Sequence, residues 1–375
     1  MSFRPDIVIV GAGIVGAACG FELAREKFSV AVVDAAGIGM QTTAAGMGHL
    51  LVLDDSEEQF ALTRYSLSLW NALAKHLPPA VEYSRCGTLW VAGDEDEMAE
   101  VVRKHTYYGE RGIQTEILDA HALREAEPAL RRPLAGGLRV PGDAVLYPPC
   151  AAAYLLQRAA ELGAKIFLGK AVNSIRNGIT RLADGTVFHS KFIINAAGQF
   201  APKLTPGIHI RPRKGHLVIT DRYPGTITHQ LMELGYLKSA HSISADSVAF
   251  NLQPRKTGQL LIGSARQYEV ADGNVDFAIL SRMLKRAMEY VPSLGSLSAI
   301  RVWTGFRPAT PDQLPFIGPW PDDPSIFLAA GHEGLGITTS LATGRLAVDF
   351  LLRRASAIPV EPYLPSRQIE GVTHA

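Results

Sequence analysis

Asp6-Ile7-Val8-Ile9-Val10-Gly11-Ala12-Gly13-Ile14-Val15-Gly16 is an apolar run that halts at a glycine and restarts with helical spacing. A short uncharged run is the pattern of a parallel strand covered on both faces, and the glycines mark a tight turn into a helix. In that setting Gly11 permits the turn, Gly13 lets backbone approach a pyrophosphate, and Gly16 lets helix and strand pack closely. The unpaired N–H groups and partial positive charge of the helix start make an anion expected there, with Ile14 and Val15 in its first turn. Asp34, 23 residues beyond Gly11, ends a second β-rich run. A carboxylate there accepts ribose hydroxyls and repels a 2′-phosphate, so NADP is disfavoured.

Outward from this unit the pattern alternates. Residues 14–26 and 56–76 read as helices, 29–34 and 87–92 as strands, and the charged stretch 94–111 as a solvated helix. From Val172 three strand-like segments are separated by Asn177-Gly178 and Asp184-Gly185, dipeptides that favour tight hairpins, so a small antiparallel meander is predicted. Residues 191–197 then turn apolar and end in Ala196-Ala197-Gly198, as a strand returning to the first sheet would. Residues 258–264, 300–306 and 326–330 read as strands, 276–290 as an amphipathic helix, 307–319 as a Pro-rich loop and 336–352 as a helix needing a sheet to pack on.

The expected fold is α/β (α+β as a whole). A doubly wound dinucleotide-binding domain of residues 1–85, 140–215 and 305–375 holds an inserted mixed-sheet substrate domain of residues 86–139 and 216–304. With 375 residues, 47% of them hydrophobic, two intertwined domains can each bury a core. Basic and acidic residues number 37 and 36, leaving a formal charge of +1 and no global field to attract nucleic acid. Cys19, Cys86 and Cys150 are too few and too scattered for a zinc site or a disulfide scaffold, so no metal is expected and a reducing cytoplasm fits. A peripheral position at the inner membrane stays open. No signal peptide is read at the start, and the run 7–21 is too short and glycine-broken to span a bilayer.

NAD is the competing nucleotide until Gly37-Ile38-Gly39-Met40-Gln41-Thr42-Thr43-Ala44-Ala45-Gly46-Met47-Gly48-His49 is considered. Thr42 and Thr43 continue a phosphate wall, and the small residues from Gly46 onward let backbone approach a flat ring. Further motifs follow in order: Ile194-Asn195-Ala196-Ala197-Gly198, Leu261-Ile262-Gly263-Ser264, Gly305-Phe306-Arg307-Pro308, Thr310-Pro311-Asp312-Gln313-Leu314-Pro315 and Ala330-Gly331-His332-Glu333-Gly334-Leu335-Gly336. Through nearly its whole length the chain resembles the D-amino acid oxidase and glycine/sarcosine oxidase superfamily of FAD enzymes, especially bacterial amino acid and proline or hydroxyproline dehydrogenases.

The resemblance implies FAD, with Val172 at the adenine, Gly198 at the pyrophosphate and Met47, Gly48 and His49 flanking the ring; because Cys19, Cys86 and Cys150 all lie outside the C-terminal segments expected at the ring, the FAD is expected to be held non-covalently, with a histidine link left open. It implies that Gly331 and the segment Gly334-Leu335-Gly336-Ile337-Thr338, at a helix start, supply donors and positive potential where reduction places negative charge. Arg307 matches a carboxylate-binding arginine, whose planar fork suits an amino acid substrate. His49 is a candidate catalytic side chain and His332 a candidate substrate contact, although a histidine in a glycine-rich loop more often fixes backbone. Gln199 and Glu333 depart from the family's usual residues. Tyr147, Tyr236 and Tyr268 could close a pocket, but ordinary packing explains each.

The expected reaction is dehydrogenation of a small D-amino, proline-type or hydroxyproline-type acid, with glycine and sarcosine behind them. Electrons would pass to a quinone or a partner subunit, in a homo- or hetero-oligomer. Sarcosine oxidase-like members carry a lysine beside the flavin that stabilises superoxide, and the resemblance places residues 261–265, which contain no lysine, in the corresponding strand region, so it implies a dehydrogenase over a peroxide-forming oxidase. Rival readings are a flavin electron-transfer subunit and a 2-hydroxy acid or polyol dehydrogenase.

Overall fold

The computed structural model describes residues 3–235, 246–268, 270 and 272–367, so Tyr236 lies outside the described residues. The chain divides into two compact units, residues 1–81, 147–212 and 306–375, and residues 82–146 and 213–305. Residues 82–85, 140–146, 213–215 and 305 thus belong with the second unit.

The first unit is built on a six-stranded sheet. Its strands are β1 (Ile7–Val10), β2 (Val30–Asp34), β3 (Lys165–Leu168), β7 (Phe192–Asn195), β8 (Phe316–Trp320) and β9 (Asp323–Ala330), in the order β8-β9-β7-β1-β2-β3. All neighbours run parallel except β8, which pairs antiparallel with β9 at the edge. Val10 lies opposite Val33 on one side and Asn195 on the other, and Asn195 opposite Leu328. The carboxyl ends of these strands therefore align, and the chain leaves the sheet at Gly11, Asp34 and Ala196 along one edge. That edge is where parallel sheets bind ligands.

Alternate residues of each strand serve opposite faces. Val8, Val10, Ala31, Val33 and Ile193 pack with Ile175, Leu182 and Phe188 of a three-stranded antiparallel meander, β4 (Val172–Arg176), β5 (Ile179–Leu182) and β6 (Val187–His189). The meander covers a face that a doubly wound sheet would give to helices. The other face meets helix α1 (Ile14–Arg25): a side chain at Gly20 would lie 3.7 Å from Ile9 and 3.4 Å from Val32. Helices α3 (Pro148–Glu161) and α4 (Gly336–Leu351) pack beside α1, and α2 (Glu57–Leu73) packs on α4. A Cβ at Gly344 of α4 would stand 2.8 Å from the Ala18 carbonyl oxygen of α1, so only glycine allows the two backbones this close.

The second unit holds an eight-stranded mixed sheet in the order Ala299–Ala309, Arg211–Arg222, Gln259–Arg266, Ser247–Pro254, Gln230–Glu233, Thr88–Ala92, Gly136–Val140, Glu116–Asp119. Gln230–Glu233 and Thr88–Ala92 pair in parallel. Helix Phe277–Tyr290 buries Ile279, Leu280, Met283 and Tyr290 against Phe250, Leu252 and Ile262, each worth about 2 kcal/mol as removed apolar surface. The Phe250 and Tyr290 rings stack at 4.5 Å.

The expected loop over residues 307–319 is confined to residues 310–315, with strand on either side. Ala299–Ala309 runs through Arg307 and Pro308, and β8 begins at Phe316. Proline is tolerated because Pro308 and Pro319 each lie on the edge strand of their sheet, Pro308 next to the strand's last residue and Pro319 beside a register shift. Helix 56–76 is likewise shorter: α2 ends at Leu73 and tightens into a 3₁₀ turn, Ala74–His76.

Candidate active site

At the carboxyl edge of the first sheet, the glycine turn is enforced by neighbouring backbone. Gly11 has φ +112°, and a Cβ there would fall 2.4 Å from the Ala196 carbonyl oxygen. A Cβ at Gly16 would fall 1.9 Å from the Gly11 carbonyl oxygen. Gly13 caps α1 with extended backbone and without a side-chain hydrogen bond. Thr43 reaches across instead, its Oγ1 accepting the Ile14 N–H at 3.0 Å. The N–H groups of Val15 and Gly16 have no acceptor inside their own helix.

Asp34 holds this turn from the next strand. Its Oδ2 accepts the Ala12 N–H and its Oδ1 the Ala36 N–H, both at 2.7 Å. A carboxylate oxygen has a second lone pair, so both remain able to accept hydroxyls. The Asp34 carbonyl accepts the Lys170 N–H at 2.8 Å, which brings Val172, two residues later, to the end of β2. Gly198 has φ +56°, and a Cβ there would meet nothing within 4 Å. Asn195 shapes that turn by accepting the Ala197 N–H and donating to the Ala201 carbonyl. Gly11, Gly13, Gly16, Asp34, Val172 and Gly198 thus share one edge, as a dinucleotide requires.

A second constellation joins residues almost 300 positions apart. A Cβ at Gly46 would lie 2.8 Å from Ile337 Cδ1, and Thr338 Oγ1 donates to the His49 carbonyl at 2.9 Å. Thr42 Oγ1 donates to the Phe306 carbonyl at 2.7 Å, fixing the residue before Arg307. Met47 and Gly48 are buried, whereas the His49 side chain is half-buried. Gly331, at φ +83°, turns the chain where a Cβ would press on Thr310 at 2.6 Å. A short turn, Glu333–Leu335, then leads into α4, whose cap residue Leu335 offers no side-chain acceptor. Arg307 is half-buried beside this turn: a Cβ at Gly334 would stand 3.8 Å from its Cδ and 3.9 Å from its Nε.

His332 differs from His49. Its side chain is buried, and Nε2 lies 3.0 Å from Thr343 Oγ1. Thr343 donates its own proton to the Thr339 carbonyl, so the arrangement that satisfies both bonds has His332 donating from Nε2. Desolvation pushes its pKa down to about 3, keeping the ring neutral.

Three further side chains support the site, and of these only Asn195 lies in a motif read from the sequence. Trp70, fully buried on α2, donates from Nε1 to the Ile337 carbonyl at the start of α4. Asn195 pins the Gly198 turn, as above. Arg367 donates from Nε and Nη2 to Asp312 at 2.7 and 3.0 Å, and bonds the Leu314 and Pro315 carbonyls, anchoring the 310–315 segment. The dipeptide Pro311-Asp312 signals a turn, but its partner is 55 residues away. Among the described residues no group of three histidines, cysteines or carboxylates is placed to hold a metal, and no helix is long and apolar enough to cross a membrane.

The donor set fits FAD. The glycine turn at Gly11 and Gly16, the start of α1 and the Asp34 carboxylate would suit the adenosine diphosphate half. Gly46 to His49 and the start of α4, at Gly336, would suit the flavin half. Residues 6–350 match the family of FAD dependent oxidoreductases known as DAO. The chain is 30% identical to glycine oxidase of Geobacillus kaustophilus over 99% of both chains, and that enzyme's crystal structure superposes with a TM-score of 0.87 at 28% identity, covering 98% of this chain and 100% of the other. It is 26% identical to hydrogen cyanide synthase subunit HcnC of Pseudomonas aeruginosa over 96% of each. To D-amino acid dehydrogenase of Xanthobacter autotrophicus it is 24% identical over 97% of this chain and 99% of that one.

Proposed function

Since the chain belongs to the DAO family of FAD-dependent oxidoreductases, we propose that it oxidises the C–N bond of a small amino or imino acid to an imine, with Arg307 clamping the substrate carboxylate. FAD is the cofactor and supplies the hydride acceptor. The protein's part is to bind, orient and hold charge. The observation that carries the reading is the position of Arg307, half-buried and running along Gly334 at the bare start of α4. A guanidinium there presents two parallel donors to a carboxylate, and such a clamp fixes which bond of the substrate faces the ring. The N–H groups at the start of α4 and its dipole favour the negative charge that accumulates on reduction.

His49, with its carbonyl tied to Thr338, is assigned as proton acceptor for the substrate amine, which must be neutral before hydride can leave. His332 is assigned to positioning, because its buried neutral ring ties the 331–335 turn to Thr343. FAD is held without a covalent link: Cys19 is buried within α1, and Cys86 and Cys150 belong to neither ring-side segment. Acid precipitation then releases the colour; colour left on the denatured chain refutes this.

The substrate panel is small D-amino acids, proline and 4-hydroxyproline, then glycine and sarcosine. Anaerobic bleaching of the flavin by members of this panel, compared with 2-hydroxy acids, tests the function. Bleaching by hydroxy acids alone would overturn it. Electrons are assigned to a quinone or partner subunit, since residues 261–265 carry no lysine. A peroxide-forming oxidase is the second reading, favoured by the 30% identity to a glycine oxidase. Reoxidation of substrate-reduced enzyme by air and by an artificial acceptor separates the two.

A further inference from the structure

The second unit carries a pocket of ≈ 360 Å³ between the helix Ala120–Ala126 and the 130–134 turn, none of whose residues belongs to the proposed flavin or substrate site. The volume sits at the low end of the roughly 300–1,000 Å³ typical of small-molecule sites. Leu123, Leu130 and Leu134, all buried, give it an apolar lining. Around them stand Arg124, Arg131, Arg132 and His121, and no acidic side chain lines the pocket.

The three arginines are not equivalent. Arg131 is held in place: its Nη1 donates to the Pro133 carbonyl at 2.6 Å, and its guanidinium lies 5.6 Å from the centre of the Tyr290 ring. Arg124 and Arg132 are exposed and have no hydrogen-bond or ion-pair partner among the described residues. The nearest acids serve elsewhere. Asp119 caps its helix at the Ala122 N–H, Glu125 faces His121 at 3.7 Å, and Glu127 is bonded to Thr228 and His229. Like charges gathered at one mouth repel, and the site becomes favourable when an anion neutralises them. The apolar lining adds that the anion must carry a hydrophobic body.

We propose that this pocket binds a small organic carboxylate with an apolar chain or ring, its carboxylate on Arg124 and Arg132 and its body against Leu123, Leu130 and Leu134. The bound anion occupies a site separate from the substrate site and leaves the flavin environment untouched. Neither arginine takes part in flavin or substrate binding, so the variants Arg124→Gln and Arg132→Gln keep full flavin content and turnover.

Hexanoate serves as the probe, titrated calorimetrically into the FAD-loaded protein while the flavin absorption band is monitored. The expected result is binding with an unchanged flavin band, weakened about tenfold or more in the Arg124→Gln/Arg132→Gln double variant, as expected when charge-assisted bonds are lost, and retained in Arg307→Lys. Hexanamide and inorganic phosphate, which lack the charge and the apolar body respectively, should each bind much more weakly than hexanoate. Equal affinity in the double variant, binding that shifts the flavin band and disappears in Arg307→Lys, or phosphate binding as tightly as hexanoate would each overturn the proposal.

Discussion

Helix starts come in two kinds in this chain. Ser56, Asp94, Asp119 and Asp276 each close their helix with a side-chain oxygen that accepts a first-turn N–H. Gly13 and Leu335 do not, although they begin two of the most buried helices of the first unit. Leaving a cap off costs about 1 kcal/mol. The capped ends are satisfied from within and do nothing further. The ends at α1 and α4 have no side-chain cap of their own, and a Cβ at Gly11, Gly16 or Gly46 beside them would meet neighbouring atoms at 2.8 Å or less. Helix α3 also lacks a side-chain cap, but prolines at its first positions remove the donors that would need one.

The hardest test of this contrast is Gly16→Ala. Its methyl group would meet backbone at 1.9 Å, where nothing flexible can yield, so the expected cost is about 3 kcal/mol or more and the purified protein should lack FAD. Gly109→Ala on a capped helix, with nothing within 4 Å of the new methyl, should leave FAD content unchanged. Equal flavin content in both variants would break the contrast.

Arg307→Ala should lower kcat/KM about 100-fold, or about 2.7 kcal/mol, with FAD occupancy intact. Arg307→Lys should recover only part of this, since an ammonium keeps the charge and loses the fork. Unchanged amino acid dependence in both would remove the arginine from the site.

His332 sharpens the comparison through pH. Burial depresses its folded-state pKa from the ordinary 6.5 to about 3, so below 6.5 the unfolded chain binds a proton that the folded chain does not. Stability therefore falls as pH drops from 6.5 towards 3, by about 1.4 kcal/mol at about pH 5.5. Denaturant midpoints of His332→Asn across this window should show a shallower fall than the parent. An identical slope would place the titration elsewhere.

The smallest effects separate a ligand-facing carboxylate from a capping one. Asp34→Ala should weaken FAD about tenfold, about 1.4 kcal/mol, by removing ribose acceptors and the Ala12 anchor. Asp94→Ala should cost about 1 kcal/mol of stability and leave the FAD dissociation constant unchanged. Flavin fluorescence on dilution and a thermal melt measure the two.

Much of the first unit was legible because local signals agreed with each other. The run Ile7–Val10, the glycines to Gly16, Asp34 and the two hairpin dipeptides each state a backbone requirement within a few residues. The loop read over 307–319 survives at 310–315, while its two ends are strand: 307–309 finish Ala299–Ala309, and Phe316–Trp320 pair with β9, whose hydrogen bonds override the local preference of Pro319. The strands Glu116–Asp119, Gly136–Val140 and Gln230–Glu233 of the second sheet are four or five residues long, too short for a period to stand out.

The sequence by itself determined the dinucleotide turn, the choice of carboxylate at its end and the family, since these depend on residue type at fixed local spacing. Only the tertiary structure decided the rest: that a meander covers the second face of the sheet, that Thr43 rather than a local cap meets the Ile14 N–H, and that His332 is buried while His49 is not. It alone brought Gly46 to Ile337, Thr42 to Phe306 and Trp70 to the start of α4. Contacts across more than 250 residues are set by how sheet and helices pack into a dense core, and no local preference of either partner encodes them.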